Sequence, residues 1–305
     1  MTLARGSQAQ TIYVAESTFG TTPSSPGFTS LPLTGNSLAL GKDTFQSQTI
    51  RSDRMIEDFR HGMKNVSGDL SFEFRYSDFD AFLAAALMND WATNDLTVGT
   101  TAKYFSIEKG FTDIGRYHLY TGCMVNTFAL SIQANSMITG TLGIIGKDLS
   151  TGAAPEDSVP ADYSSNSPFD SFTGSIYEGG TAASNEIAIV TGIDFTLDNG
   201  MTPTQIVGSD TTPEIIDGRS NLTGTLTAYF EDGSMVDKFV NETESVIQFT
   251  LQDTASNSYT FLLPAVKYGG GDPGYDGEGP VTASMNFQAI YDATSGTSFK
   301  ITRSG

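Results

Sequence analysis

Along most of the chain, apolar and polar residues alternate with period two. In residues 66–76 (VSGDLSFEFRY), Val66, Leu70, Phe72 and Phe74 are apolar, while Ser71, Glu73 and Arg75 are polar. That is the pattern of a strand with one buried face. Residues 104–107, 125–132, 137–145, 187–193, 222–230, 246–251, 259–266 and 281–291 read the same way, each bounded by Gly, Asn, Asp or Pro. Helical spacing is sustained in one stretch, 77–89. There Phe79, Phe82, Leu83, Ala86 and Leu87 fall on one stripe, with Ser77 placed to cap and Asp80 at the N3 position. The pattern predicts a mainly β protein with a short helix packed against a sheet.

Part of this pattern occurs twice. Asn65-Val-Ser-Gly-Asp-Leu-Ser-Phe-Glu-Phe74 matches Asn221-Leu-Thr-Gly-Thr-Leu-Thr-Ala-Tyr-Phe230 at an offset of 156. After the strand the offset becomes 157, so Ser77 meets Ser234 and Asp80 meets Asp237. Phe79, Phe82 and Leu83 then meet Val236, Phe239 and Val240. A loop glycine, a strand and a capped apolar helix recurring in one order point to internal duplication. The expected layout is an N-terminal arm at 1–35 and a first unit at 36–148. A linker or loop-rich insertion follows at 149–186, and a second unit at 187–305. The joint is rich in Ser, Gly, Pro and Asp, as a mobile connection would be. Its aromatics Tyr163, Phe169, Phe172 and Tyr177 also suit a segment that docks on a neighbour.

Composition narrows the class. The 305 residues are 38% hydrophobic, with 20 Phe and 12 Tyr, enough for a packed core. No apolar run is long enough to span a bilayer, so no membrane insertion is expected. No apolar stretch follows Arg5, so no export signal is expected. A single cysteine, Cys123, excludes an intrachain disulfide. The net charge is -19, and it is uneven: residues 1–150 hold 11 basic and 14 acidic residues, residues 151–305 hold 5 and 21. Clustered cations of the kind that displace counterions from DNA are missing, so a conventional nucleic-acid-binding surface is disfavoured. The asymmetry predicts that the second half supplies more of the negative surface.

Candidate chemistry is sparse, and no catalytic, cofactor or metal residue is nominated. Gly140-Thr-Leu-Gly-Ile-Ile-Gly-Lys147 lacks the glycine spacing of a phosphate loop, and Asp148 stands where a hydroxyl is required. His61 and His118 are the only histidines, and with one cysteine they cannot assemble a zinc site. No GxSxG elbow accompanies them. Gly269–Gly279 concentrates three carboxylates without the order of a calcium loop and reads as an acidic hairpin tip. Asn65-Val-Ser and Asn221-Leu-Thr fit a glycosylation pattern but read as strand starts. The chain is not expected to be an enzyme.

Three stretches together resemble the major tail tube proteins of long, non-contractile-tailed bacteriophages. The first is Arg5-Gly-Ser with Tyr13-Val-Ala-Glu-Ser-Thr-Phe-Gly-Thr-Thr-Pro23. The second is Ile50-Arg-Ser-Asp-Arg54 through Phe59-Arg-His-Gly62, followed by Ser67-Gly-Asp-Leu70. The third, Phe105-Ser-Ile-Glu-Lys-Gly-Phe-Thr-Asp-Ile-Gly115, leads to Tyr120-Thr-Gly-Cys-Met-Val-Asn126. The resemblance is strongest over 1–148.

It implies two tandem β-sandwich or partial-barrel domains, each with a short flanking helix, whose inner strands join those of neighbours. It also implies trimeric pseudo-hexameric rings, with six-chain rings as second choice, stacked head to tail around a tape measure protein. Terminator and distal tail proteins would sit at the ends, and double-stranded DNA would pass through. The protein would be made in the bacterial cytoplasm and reside in the virion. The polar stretch 44–64 and the arm at 1–32 are the expected reaching elements. Three chains would carry about -57 per ring, and an acidic bore would keep phosphates from sticking. The leading alternative is a surface-exposed β-rich adhesin or carbohydrate-binding protein. A tail terminator shares the fold, and an acidic glycosidase would need two carboxylates about 5–10 Å apart.

Overall fold

The computed structural model describes residues 3–24, 26–171, 175–179, 190–231, 233–271, 273–275 and 278–305. Seven strands and a helix account for most of the first half. They are β1 (Ala9–Glu16), β2 (Ala39–Gln46), β3 (Phe59–Glu73), α1 (Asp80–Ala86), β4 (Tyr104–Phe111), β5 (Arg116–Gln133), β6 (Thr139–Gly146) and β7 (Asp148–Gly152). The 18-residue β5 serves two layers. Its N-terminal part pairs with β4 and β7, and β4 in turn with β1. Its C-terminal part pairs with β6, which continues to β3 and β2. Gly122, at φ 63°, and the bulge at Val125/Thr127 lie between the two parts.

The second half has β8 (Ser175–Glu178), β9 (Val190–Asp198), β10 (Asn221–Tyr229), α2 (Ser234–Val240), β11 (Ser245–Gln252), β12 (Ser258–Tyr268), β13 (Thr282–Ala289) and β14 (Lys300–Ser304). Its pairings run in the same order as those of the first. One layer is β8–β11–β12–β14, and the other is β12–β13–β10–β9. Residues 127–133 of β5 pair with 192–198 of β9, so one open sheet runs β2–β3–β6–β5–β9–β10–β13–β12. A short strand, Asp95–Thr97, also joins the halves by pairing with β14.

The alternation seen in the sequence becomes the layering. Val66, Leu70, Phe72, Phe128, Leu130, Leu142, Ile144, Phe195, Leu197, Leu222, Leu226 and Phe287 all turn inward from this sheet. They form one core spanning both halves. Phe128 meets Phe195 at 5.7 Å and Phe74 meets Tyr259 at 5.3 Å between ring centroids. The joining segment enters the core as well. Phe169 is fully buried against Phe74 and Tyr259, and its backbone bonds to Phe74 and Ile138 at 2.9 and 3.0 Å.

Several elements differ from the sequence reading. Residues 9–16, within the stretch read as an arm, form a buried-edge strand. β3 starts at Phe59, because residues 59–67 pair with β2 in a hairpin whose loop is only 47–58. The helix is shorter at both ends than its pattern suggested, Asp80–Ala86 in place of 77–89. Its N-cap position is Phe79, and Ser77 instead takes φ 68° and donates its N–H to Tyr259 Oη at 3.0 Å. Asp80 therefore does not complete a capping box; it engages Tyr259 and Arg303. In the second half Ser234 opens α2, so the helices align at an offset of 154 rather than 157. Residues 187–189, Phe172 and parts of 269–279 lie outside the described residues.

Candidate functional site

The outward face of the open sheet is a continuous polar surface, and register fixes its composition. Directly paired residues share a face, so three rungs cross the strands. One runs Asp69–Gly143–Thr127–Asp198–Asn221. The next runs Ser71–Thr141–Ala129–Thr196–Thr223–Gln288–Lys267. The third runs Glu73–Thr139–Ser131–Asp194–Thr225–Asn286. Hydroxyls and amides predominate and bond across strands: Thr225 to Asn286 at 2.9 Å, and Gln288 to Asn221 at 3.0 Å. Asp194 accepts from Ser131 at 2.5 Å and Gln133 at 2.8 Å, fastening the seam between the halves.

Four carboxylates lie on these rungs, two from each half, and the one cation is Lys267, 3.6 Å from Glu244. Among the described residues, the acidic excess of the second half thus lies elsewhere. It is spread over the joining segment, the 199–220 connection and the surroundings of α2. The expected asymmetry of negative surface does not extend to this face. A phosphate approaching it meets hydroxyls, amides and separated carboxylates, and a single cation that already faces a carboxylate. Such a surface holds water and offers no counterion-releasing contacts.

The edges of the sheet carry the other distinctive chemistry. The β2–β3 hairpin projects Phe45, Ile50, Met55 and Ile56 into solvent, Ile50 being 98% exposed. The stretch read as polar thus also carries exposed apolar side chains, set among Arg51–Asp53 and Arg60–Asp58 pairs at 2.7 and 3.1 Å. Among the described residues β2 pairs with β3 alone. An exposed strand edge beside apolar side chains is a surface that other chains can cover.

Residues singled out in the sequence take structural positions. His61 is exposed in β3 with its ring 5.2 Å from Phe59. His118 faces Phe111 at 5.7 Å, and burial, then the Lys109 charge, hold its imidazole below the usual range. Cys123 is fully buried, which pushes its thiol well up and leaves it inert. The glycines of 140–147 lie in β6 because side chains there would collide. A Cβ at Gly140 would strike Phe72, one at Gly143 the Thr127 hydroxyl, and one at Gly146 would crowd Val66 and Cys123. Asn65 and Asn221 lie within or at the start of strands.

Two of the four buried carboxylates among the described residues, Glu16 and Glu178, tie several elements together and carried no sequence signal. Glu16 accepts from Ser106 Oγ and the N–H groups of Gly20 and Gly122 at 2.7–2.9 Å. Glu178 accepts from Lys238 at 2.6 Å, Ser245 at 2.6 Å and Tyr268 at 3.0 Å. Each draws together several elements within one half, and burial beside Glu178 pushes the Tyr268 hydroxyl far above its ordinary range. Burial likewise raises the Asp80 carboxyl, opposed by Tyr259 and Arg303.

Among the described residues, no group of three His, Cys, Asp or Glu is placed to hold a metal, and no helix is long and apolar enough to cross a membrane. No curated protein matches the sequence. A family model described as phage tail tube protein matches residues 6–289, nearly the whole chain. A mainly β chain with an open sheet, a polar face and uncovered edges belongs, on that match, to the phage tail tube proteins, structural components of the virus tail.

Proposed function

We propose that this chain assembles into rings, three chains to a ring, that stack head to tail into the hollow tube of a long, non-contractile phage tail. The observation that carries this reading is the open eight-stranded sheet, polar on one face and, among the described residues, without a further strand beside β2 or beside the end of β12. Closing a sheet removes its edges. Eight strands closed on themselves would leave an interior filled by side chains, whereas barrels of about 16 or more strands keep an aqueous channel. Several copies are therefore needed for a bore. The matching strand orders β1–β7 and β8–β14 support tandem copies of one domain, so that three chains present six equivalent units.

In this arrangement the hydroxyl- and amide-rich rungs line the lumen. The tape measure protein occupies it during assembly, and double-stranded DNA crosses it at ejection. Phosphates are kept moving by the scarcity of cations more than by a high density of negative charge. The β2–β3 hairpin tips make heterologous contacts with a neighbouring chain, and terminator and distal tail proteins cap the ends.

Electron microscopy of the purified full chain and of virions tests the reading. Stacked rings with a bore wide enough for duplex DNA, and three chains per ring in class averages, are expected. Monodisperse monomers with no virion association would overturn it.

A further inference from the structure

The chain contains one finished junction between its halves, and the two parts that would make a second such junction lie unused at its opposite ends. Inside the chain, β5 covers the outer edge of β9. Just beyond β9, Asn199 donates its backbone N–H to Asn126 O at 2.9 Å. Its side-chain amide donates to Ala86 O, at the end of α1, and to Val125 O, at 2.9 and 3.2 Å. The connection that follows folds over the first half, where Met201 and Ile215 pack on Met88 and Met124. Asp210 also meets Lys64 Nζ at 3.4 Å.

The counterparts follow from register. Gly41 and Leu40 of β2 oppose Asn65 and Val66 of β3 as Asp198 and Leu197 of β9 oppose Asn221 and Leu222 of β10. Lys267 of β12 opposes Gln288 of β13 as Met124 of β5 opposes Ile145 of β6. Yet among the described residues β2 has no strand on its outer edge, and β12 beyond Val266 pairs with β13 alone. Apolar surface accompanies both ends. On one side stand the hairpin residues Phe45, Ile50, Met55 and Ile56. On the other, Phe230, Phe239 and Val240 are exposed, although Phe74 and Ala86, which match Phe230 and Val240, are buried. Charges complement as well: Lys42 and Arg54 on the hairpin, and Glu231 and Glu242 beside α2, are exposed with no ion-pair partner among the described residues.

We propose that a second copy of this chain seats its first half against the second half of this one, repeating the internal junction. Gly269–Gly271, following β12, run antiparallel beside Leu40–Lys42 of the second copy's β2. That copy's hairpin lies across Phe230, Phe239 and Val240. The assignment rests on the ring reading and names the two surfaces that close the ring.

Cysteine cross-linking tests it in the full chain. A Cβ at Gly41 makes only an ordinary contact, with Asn65 O at 3.6 Å, and one at Gly270 meets nothing within 4 Å, so neither substitution disturbs the fold. Buried Cys123 stays silent. Equal amounts of Gly41→Cys and Gly270→Cys chains are mixed, assembled and oxidised, with Gly269→Cys as the neighbouring register and Gly41→Cys with Gly6→Cys as control. A reducible dimer from Gly41→Cys with Gly270→Cys or Gly269→Cys, at least tenfold above the control, is expected. The chain carrying both Gly41→Cys and Gly270→Cys should give a ladder ending at the closed ring. In addition, Val240→Asp should reduce the fraction in rings at least tenfold while leaving the melting temperature of unassembled chain unchanged. Rings in micrographs without cross-links above control would overturn the seam and leave the ring reading standing. Absence of both rings and cross-links would overturn the two together.

Discussion

Gly140 and Gly143 look in the sequence like pieces of a nucleotide loop, and only their neighbours explain them. Phe72 and Thr127 occupy the space a Cβ would need. Gly140→Ala is expected to cost roughly 1–3 kcal/mol through overpacking, read from urea denaturation. Lys238→Met removes the cation from Glu178, whose side chain is 5% exposed. Removing one partner of a buried pair costs about 3–5 kcal/mol, and the remaining Ser245 and Tyr268 donors place this case near the lower figure. Calorimetry should show the loss. Asp95 gives a pH signature. Its hydrogen bond from Thr302, and then Lys300, hold the carboxyl below its ordinary value of 3.8. The folded state therefore binds fewer protons than the unfolded one. The stabilisation is complete above that value, fades as pH falls through it, and is gone below the folded-state pKa. The difference in melting temperature between wild type and Asp95→Asn should be largest at neutral pH and vanish once the pH falls below the folded-state pKa; at pH 7 it corresponds to under about 1 kcal/mol.

At the scale of elements, period-two alternation made most strands legible, because a half-buried sheet imposes it directly on the sequence. β1, β2, β7, β8 and β14 escaped that reading: β1 lies in a segment with mixed burial, β2 is exposed along nearly its whole length, and β7, β8 and β14 are four or five residues long. The helix was legible as a stripe but not in its start. Asp80 is drawn to Arg303 and Tyr259, partners more than 170 residues away, and Ser77 is turned toward the same Tyr259. The joining segment shows the same limit. Its composition suits a mobile connection, while Phe169 fills a site between Phe74 and Tyr259. Phe169→Ala should cost about 3–5 kcal/mol and raise the protease sensitivity of 149–171 in limited digestion.

For the whole molecule, net charge and the charge of one surface are separate quantities. The sheet face carries Asp69, Glu73, Asp194 and Asp198 against Lys267, a small part of a net charge of -19. If the face lines a conduit, Thr196→Lys together with Thr225→Lys would place two cations where phosphates pass. Ejection from virions assembled with that variant should slow several-fold, with ring assembly intact and the effect shrinking as salt is raised. Unchanged ejection kinetics would remove this surface from the DNA path.

The sequence alone determined the mainly β class, the internal recurrence around Asn65 and Asn221, the absence of a cation cluster, and the family resemblance. These follow from local alternation, from self-similarity and from counting, none of which needs a partner in space. The tertiary structure decided which residues share the outward face, where the acidic excess is not, and which strand edges stay open. Those are consequences of register. A shift of one residue turns a side chain to the other face, and only the pairing of β5 with β9 set the register that joins the two halves into one sheet.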